Sequence, residues 1–153
     1  MFYVHTVNDD GSVPPRCFWQ AAFGDSGMMR LQLHLLPQTM AVYRLPPDAP
    51  LPPWAVRETF VSITRTPHEL SVVAEEQPQP GVTMEGGWRA WQVAGPLAFT
   101  LTGVVAALVT PLAAAGIPVF VLSTFDTDYL LVKAVDLARA TEALSAAGHE
   151  VLG

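Results

Sequence analysis

A chain of 153 residues, half of them hydrophobic and 14% charged, has enough apolar material for a buried core and too little charge for a disordered polymer. Its net charge is −6, and its 8 Lys and Arg never cluster, which argues against a phosphate-tracking surface and against nucleic acid as a partner. The single cysteine, Cys17, can make neither an internal disulfide nor a cysteine-based zinc site and suits a reduced, cytoplasmic protein.

Residues 1–28 read as a flexible extension. Asn8-Asp9-Asp10-Gly11, Pro14-Pro15 and Gly24-Asp25-Ser26-Gly27 break any periodicity, and no basic start precedes an apolar run, so no secretory signal is expected. An alternative is an upstream start before a native protein beginning at Met28 or Met29. From Arg30 the pattern changes. Arg30-Leu31-Gln32-Leu33-His34-Leu35 alternates apolar and polar, as a half-buried strand does, and Met40 to Leu45 forms a second candidate. Five prolines between Pro46 and Pro53 then forbid a regular helix. Phe60 to Thr64 and Glu69 to Val73 read as strands joined by a turn at Pro67, and Gln77 to Gly87 as a linker.

The second half is more regular. Trp88 to Val93 is a strand turned by Gly95-Pro96, and a helix is expected to follow to about Ala115. Its stripe is Leu101, Val104, Val105, Leu108 and Leu112, Gly116 suits its C-cap, and Pro111 should kink it or end it early. Ile117 to Leu122 and Tyr129 to Val132 read as strands. Asp136 is placed as the N-cap of a helix through Ala147, with Leu137, Ala140 and Leu144 inward, and His149 to Leu152 closes the chain as a strand. The order βαββαβ is the ferredoxin-like plan. No charge occurs between Arg89 and Asp126, but Pro96, Pro111, Gly116 and Pro118 fit two buried elements better than a membrane span.

The halves echo each other. Ile63 to Val73 aligns with Leu122 to Val132 at an offset of about 60 residues, one module of this plan, the first copy carrying the proline-rich stretch where its first helix should stand.

At Phe99-Thr100-Leu101-Thr102-Gly103-Val104-Val105 and Ser123-Thr124-Phe125-Asp126-Thr127-Asp128-Tyr129-Leu130-Leu131-Val132 the chain resembles the tandem ACT proteins, which include bacterial members of unknown role and the CASTOR arginine sensors. More distantly it resembles the ACT modules of aspartate kinases. The resemblance runs from Met29 to the C-terminus. It implies an α+β protein of two ferredoxin-like ACT modules, a degenerate one over 29–85 and a second over 86–153. It also implies a homodimer and a free amino acid bound where modules meet, with no cofactor, no metal and no catalysis. The implied site comprises the loop Thr100, Leu101, Thr102 and Gly103, the strand end Ile63, Thr64 and Arg65, and the turn residues Thr124, Phe125, Asp126 and Asp128. Amides at a helix N-terminus suit a ligand carboxylate, and Asp128 suits a cationic group. The sensors carry an acid where this chain has Leu101, which argues for a smaller or less cationic ligand than arginine.

Plainer roles compete. Asp126 and Asp128 fit a tight turn, Gly103 a packing site, Thr102 an N-cap and Arg65 an exposed strand. Rival functions are a protein-interaction module with a vestigial pocket and a small hydrolase using the carboxylates near Asp128. Gly24-Asp25-Ser26-Gly27 copies a serine-nucleophile tetrapeptide without a matching histidine motif. His5, His34, His68 and His149 show no metal-binding spacing and read as surface or strand residues.

Overall fold

The computed structural model of the chain describes residues 29–55 and 59–153. The extension read over 1–28, with its serine tetrapeptide, lies outside the described residues. Among the described residues, seven strands, β1 (Gln32–Leu45), β2 (Val61–Arg65), β3 (Leu70–Glu75), β4 (Thr83–Val93), β5 (Phe120–Ser123), β6 (Asp128–Lys133) and β7 (Glu150–Leu152), join two α-helices, α1 (Val104–Ala114) and α2 (Leu137–Ala146). The strands form one sheet in the order β2-β3-β1-β4-β6-β5, with β7 parallel to the start of β1 and the other pairs antiparallel. This is an α+β fold, as expected. No helix of the described residues is long and apolar enough to cross a membrane.

Two expectations about the centre of the sheet need correction. The strands read over 30–35 and 40–45 are one strand of 14 residues. Pro37, which has no N–H to give a ladder, is absorbed by a register irregularity against β4 between Leu35 and Thr39. The linker read over 77–87 ends early, because β4 already begins at Thr83. Gly87 sits at φ +74° beside a second register shift, so the glycine pair supplies a bulge rather than a break. β1 and β4 therefore run side by side along both halves.

From β4 onward the order βαββαβ is realised, with one addition. Leu33 of β1 pairs with Val93 of β4 on one side and Val151 of β7 on the other, so β1 lies between the first and last strands of that plan. Trp91, Val93, Leu130 and Val132 from the sheet bury against Leu108 and Leu112 of α1 and Ala140 and Leu144 of α2. Leu131, Ala90, Trp88 and Met40 form a separate buried cluster, which is the period-2 alternation of strands apolar on both faces. In the first half, Tyr43, Leu70 and Val72 pack with Ala55 and Trp54 of the proline-rich segment, the Tyr43 and Trp54 rings lying 4.7 Å apart.

The helix expected from Gly95-Pro96 starts only at Val104, and residues 94–103 are irregular apart from short turns. Val104, Leu108 and Leu112 are its buried stripe. Pro111 neither ends nor breaks it. The proline removes the amide that would bond the Ala107 carbonyl, and that carbonyl instead meets His149 Nε2 at 3.1 Å. His149 Nδ1 accepts the Leu31 amide at 3.3 Å, so the Nε2–H tautomer satisfies both partners. His149, read as a surface or strand residue, is thus a buried clip joining α1 to the start of β1. Asp136 makes no capping bond. Its carboxylate takes Arg139 Nη1 at 2.8 Å, while Nη2 donates to the Ala115 carbonyl at 2.8 Å and ties α2 to the end of α1.

Candidate functional site

The site is built around the four-residue turn between β5 and β6. Thr124 N–H donates to the Thr127 carbonyl at 2.8 Å, its hydroxyl to the same oxygen at 2.9 Å, and the Thr127 amide returns to the Thr124 hydroxyl at 3.3 Å. Two bonds fasten this turn to the segment leaving β4. Leu97 N–H donates to the Asp126 carbonyl at 2.7 Å, and the buried Thr127 hydroxyl donates to the Val93 carbonyl at 2.6 Å. Gly95 allows the approach, since a Cβ there would stand 2.9 Å from the Asp126 carbonyl oxygen.

A cleft of about 390 Å³ opens between that turn and the start of α1. Its walls include Leu97, Phe99, Leu101, Gly103, Val104 and Val105 on one side, and Ser123 through Asp128 on the other. Gly103 is the N-cap of α1 at φ +85°, offers no capping side chain, and no acid follows in the first turn. The first internal bond is Ala107 N–H to the Gly103 carbonyl. The earlier amides have no partner within the helix and carry its positive end. The other wall carries Asp126, exposed, and Asp128, half-buried. Asp128 accepts the Ser123 hydroxyl at 2.5 Å on one oxygen. Among the described residues, no lysine, arginine or histidine lines the cleft, and no group of His, Cys, Asp and Glu could hold a metal. The arrangement offers amide donors for an anion and carboxylates for a cation, separated by apolar walls.

The structure brings together Leu101, Gly103, Thr124, Phe125, Asp126 and Asp128. Thr100 and Thr102 lie in the same loop, exposed and outside the lining, and Thr102 does not cap the helix. Ile63, Thr64 and Arg65 stand apart. They belong to β2 at one edge of the sheet, while β5 is the other edge; five steps of about 4.8 Å put the edges roughly 24 Å apart across the sheet. Arg65 there donates to the Pro47 and Ala49 carbonyls. Within one chain the expected cleft between that strand end and loop 100–103 does not form, because β3, β1, β4 and β6 intervene.

Sequence reasoning passed over Phe99 and Thr127. A signal for Thr127 existed, because the two hairpins close on the same turn. Thr66 N–H donates to the Glu69 carbonyl at 2.9 Å and Glu69 N–H to the Thr66 hydroxyl at 3.2 Å. That equivalence pairs Thr66 with Thr124 and Glu69 with Thr127, an offset one residue shorter than the apolar pattern suggested.

A family model described as an ACT domain matches residues 83–146, and a second, described as an N-terminal domain, matches residues 38–81. A solved protein of Agobacterium tumefaciens is 40% identical, with a TM-score of 0.76 over 80% of this chain and 92% of that one. A Vibrio cholerae protein of unknown function, a possible transport protein, superposes with a TM-score of 0.64 at 19% identity, over 77% of this chain and 90% of its own. The ligand-free regulatory subunit of aspartate kinase from Thermus thermophilus does so with a TM-score of 0.56 at 11% identity, over 75% and 96%. These last two likenesses show the fold alone. No protein of curated function matches the chain.

Proposed function

We propose that this chain, which matches an ACT domain over residues 83–146 and belongs to one family with the Agobacterium tumefaciens protein, is a non-catalytic regulatory protein that binds a free amino acid in the cleft between α1 and the β5–β6 turn. The observation that carries the reading is that the uncapped N-terminus of α1 and two aspartates line one cleft of about 390 Å³. The amides of Val104 to Ala106 take the ligand carboxylate, and Asp128 or Asp126 takes its ammonium group. Such a zwitterion satisfies both poles without a metal or cofactor.

Two ACT-like modules remain part of the proposal, supported by the two threonine turns and by the separate matches over 38–81 and 83–146. The strand end Ile63-Thr64-Arg65 then contributes from a second copy rather than from the same chain. Among the described residues β2 and β5 each pair on one side only, and β5 carries no charge or proline to discourage pairing on the other. Regulation follows if the ligand binds one arrangement of the two copies more tightly than another.

Thermal-shift measurements with each of the twenty amino acids test the reading. A ligand at a hundred times its Kd adds about 2.7 kcal/mol, which raises Tm by roughly 5–10 °C in a chain of this size. Gly103→Ala, which forces a side chain into the left-handed region, and Asp128→Asn should each reduce that shift. No shift with any amino acid would refute the proposal and favour an interaction module; turnover of a generic ester or phosphate would favour the hydrolase.

A further inference from the structure

We infer that this cleft selects amino acids with a large apolar side chain and that Phe99 and Phe125 form the lip that recognises it, an inference that rests on the amino-acid reading above. Both rings line the cleft, and they are 77% and 79% exposed. They come from its two opposing walls, one from the loop before α1 and one from the β5–β6 turn. Their centroids are 5.0 Å apart with planes at 80°. An edge-to-face pair of this kind leaves ring faces open to a third apolar group. Exposed aromatic surface shared between the two walls of a concave site is a common mark of a recognition surface.

The chemistry of the lining divides the labour. The hydroxyls in the lining are engaged within the fold, Ser123 with Asp128, Thr124 with Thr127 and Thr127 with the Val93 carbonyl, which leaves helix amides and two carboxylates for the α-carboxylate and α-ammonium of an amino acid. The remaining surface for the side chain is Leu97, Leu101, Val104, Val105 and the two phenylalanines. An acidic side chain would meet Asp126 and Asp128 with no cation in the lining to offset the repulsion. A polar uncharged side chain would lose water and find hydroxyls already bonded to Asp128, Thr127 and Val93. A side chain as small as that of alanine would leave both rings in solvent.

Isothermal titration of the full chain with L-phenylalanine, L-leucine, L-alanine, L-aspartate and L-arginine decides the matter. Phenylalanine and leucine should bind about four- to a hundredfold more tightly than alanine or aspartate, since contact with each of the two rings is worth roughly a factor of two to ten. Phe99→Ala and Phe125→Ala should each weaken phenylalanine by that factor and change alanine by less than about twofold. Both residues are exposed, so a Tm close to that of the unaltered chain should accompany the change. Alanine, aspartate or arginine binding as tightly as phenylalanine would overturn the inference while leaving amino-acid binding intact. Equal weakening of every ligand by the two substitutions would overturn it as well. So would a loss of dimer in sedimentation with selectivity unchanged, which would make the rings a subunit contact. No binding by any amino acid would instead bring down the underlying reading.

Discussion

Replacing Thr127 by valine keeps the shape of the side chain and removes its one strong bond. The hydroxyl donates at 2.6 Å to the carbonyl of Val93, a residue with no exposed surface, and Thr127 itself is only 5% exposed. A buried acceptor left without its donor costs about 1–3 kcal/mol. For a chain of this length each kcal/mol moves Tm by about 2–4 °C, so a fall of roughly 2–12 °C is expected. Thr127→Ser, which keeps the hydroxyl, should lose less than half as much. The assay is calorimetric melting, paired with titration of the amino acid that the panel selects. Because the lost bond is one of the two fastening the β5–β6 turn to the end of β4, ligand affinity should fall by more in the valine than in the serine variant. If valine melts with the unaltered chain and binds equally well, the turn is held by something other than this bond, and the account of how the site is positioned is wrong.

Gly95→Ala should act on the same wall by collision. The new Cβ would lie 2.9 Å from the Asp126 carbonyl oxygen and 3.2 Å from Thr127 Cβ; relieving that overlap costs about 1–3 kcal/mol and lengthens the Leu97–Asp126 bond, to be read as a lower Tm with accelerated amide exchange at Leu97. His149→Phe should remove partners from the Leu31 amide and the Ala107 carbonyl, at about 2–4 kcal/mol by denaturant unfolding. In a Pro111→Ala background the Ala107 carbonyl regains its helical donor, so the same substitution should cost about 1 kcal/mol less. Equal costs in both backgrounds would refute the pairing of that histidine with the proline gap.

Much of the fold is legible in short-range pattern. Alternation marks the two pieces of β1, apolar spacing of four marks the buried stripe of α1, and Gly116 and Gly148, both at positive φ, mark where helices stop. Their cause is local, since side chains two or four residues apart share a face whatever lies beyond. The motif around Ser123 to Asp128 and the glycine at 103, both singled out in the sequence, line the cleft from its two walls. What local pattern missed was compensation from afar. Pro111 reads as a helix breaker because the amide it lacks is visible in the sequence, while the donor that replaces it comes from His149, 42 residues away from Ala107.

The sequence alone thus determined the α+β class and most of the elements, because each depends on residues within a turn or two of one another. The cleft it implied, between loop 100–103 and the strand end Ile63 to Arg65, is not the one the chain forms. Tertiary structure alone decided that β1 is one strand lying between β4 and β7, and that Ile63 to Arg65 occupy the far edge of the sheet from the β5–β6 turn. Strand neighbours are chosen by hydrogen bonds between segments far apart in the chain. Alternation specifies which face of a strand is buried but carries no information about which strand lies beside it.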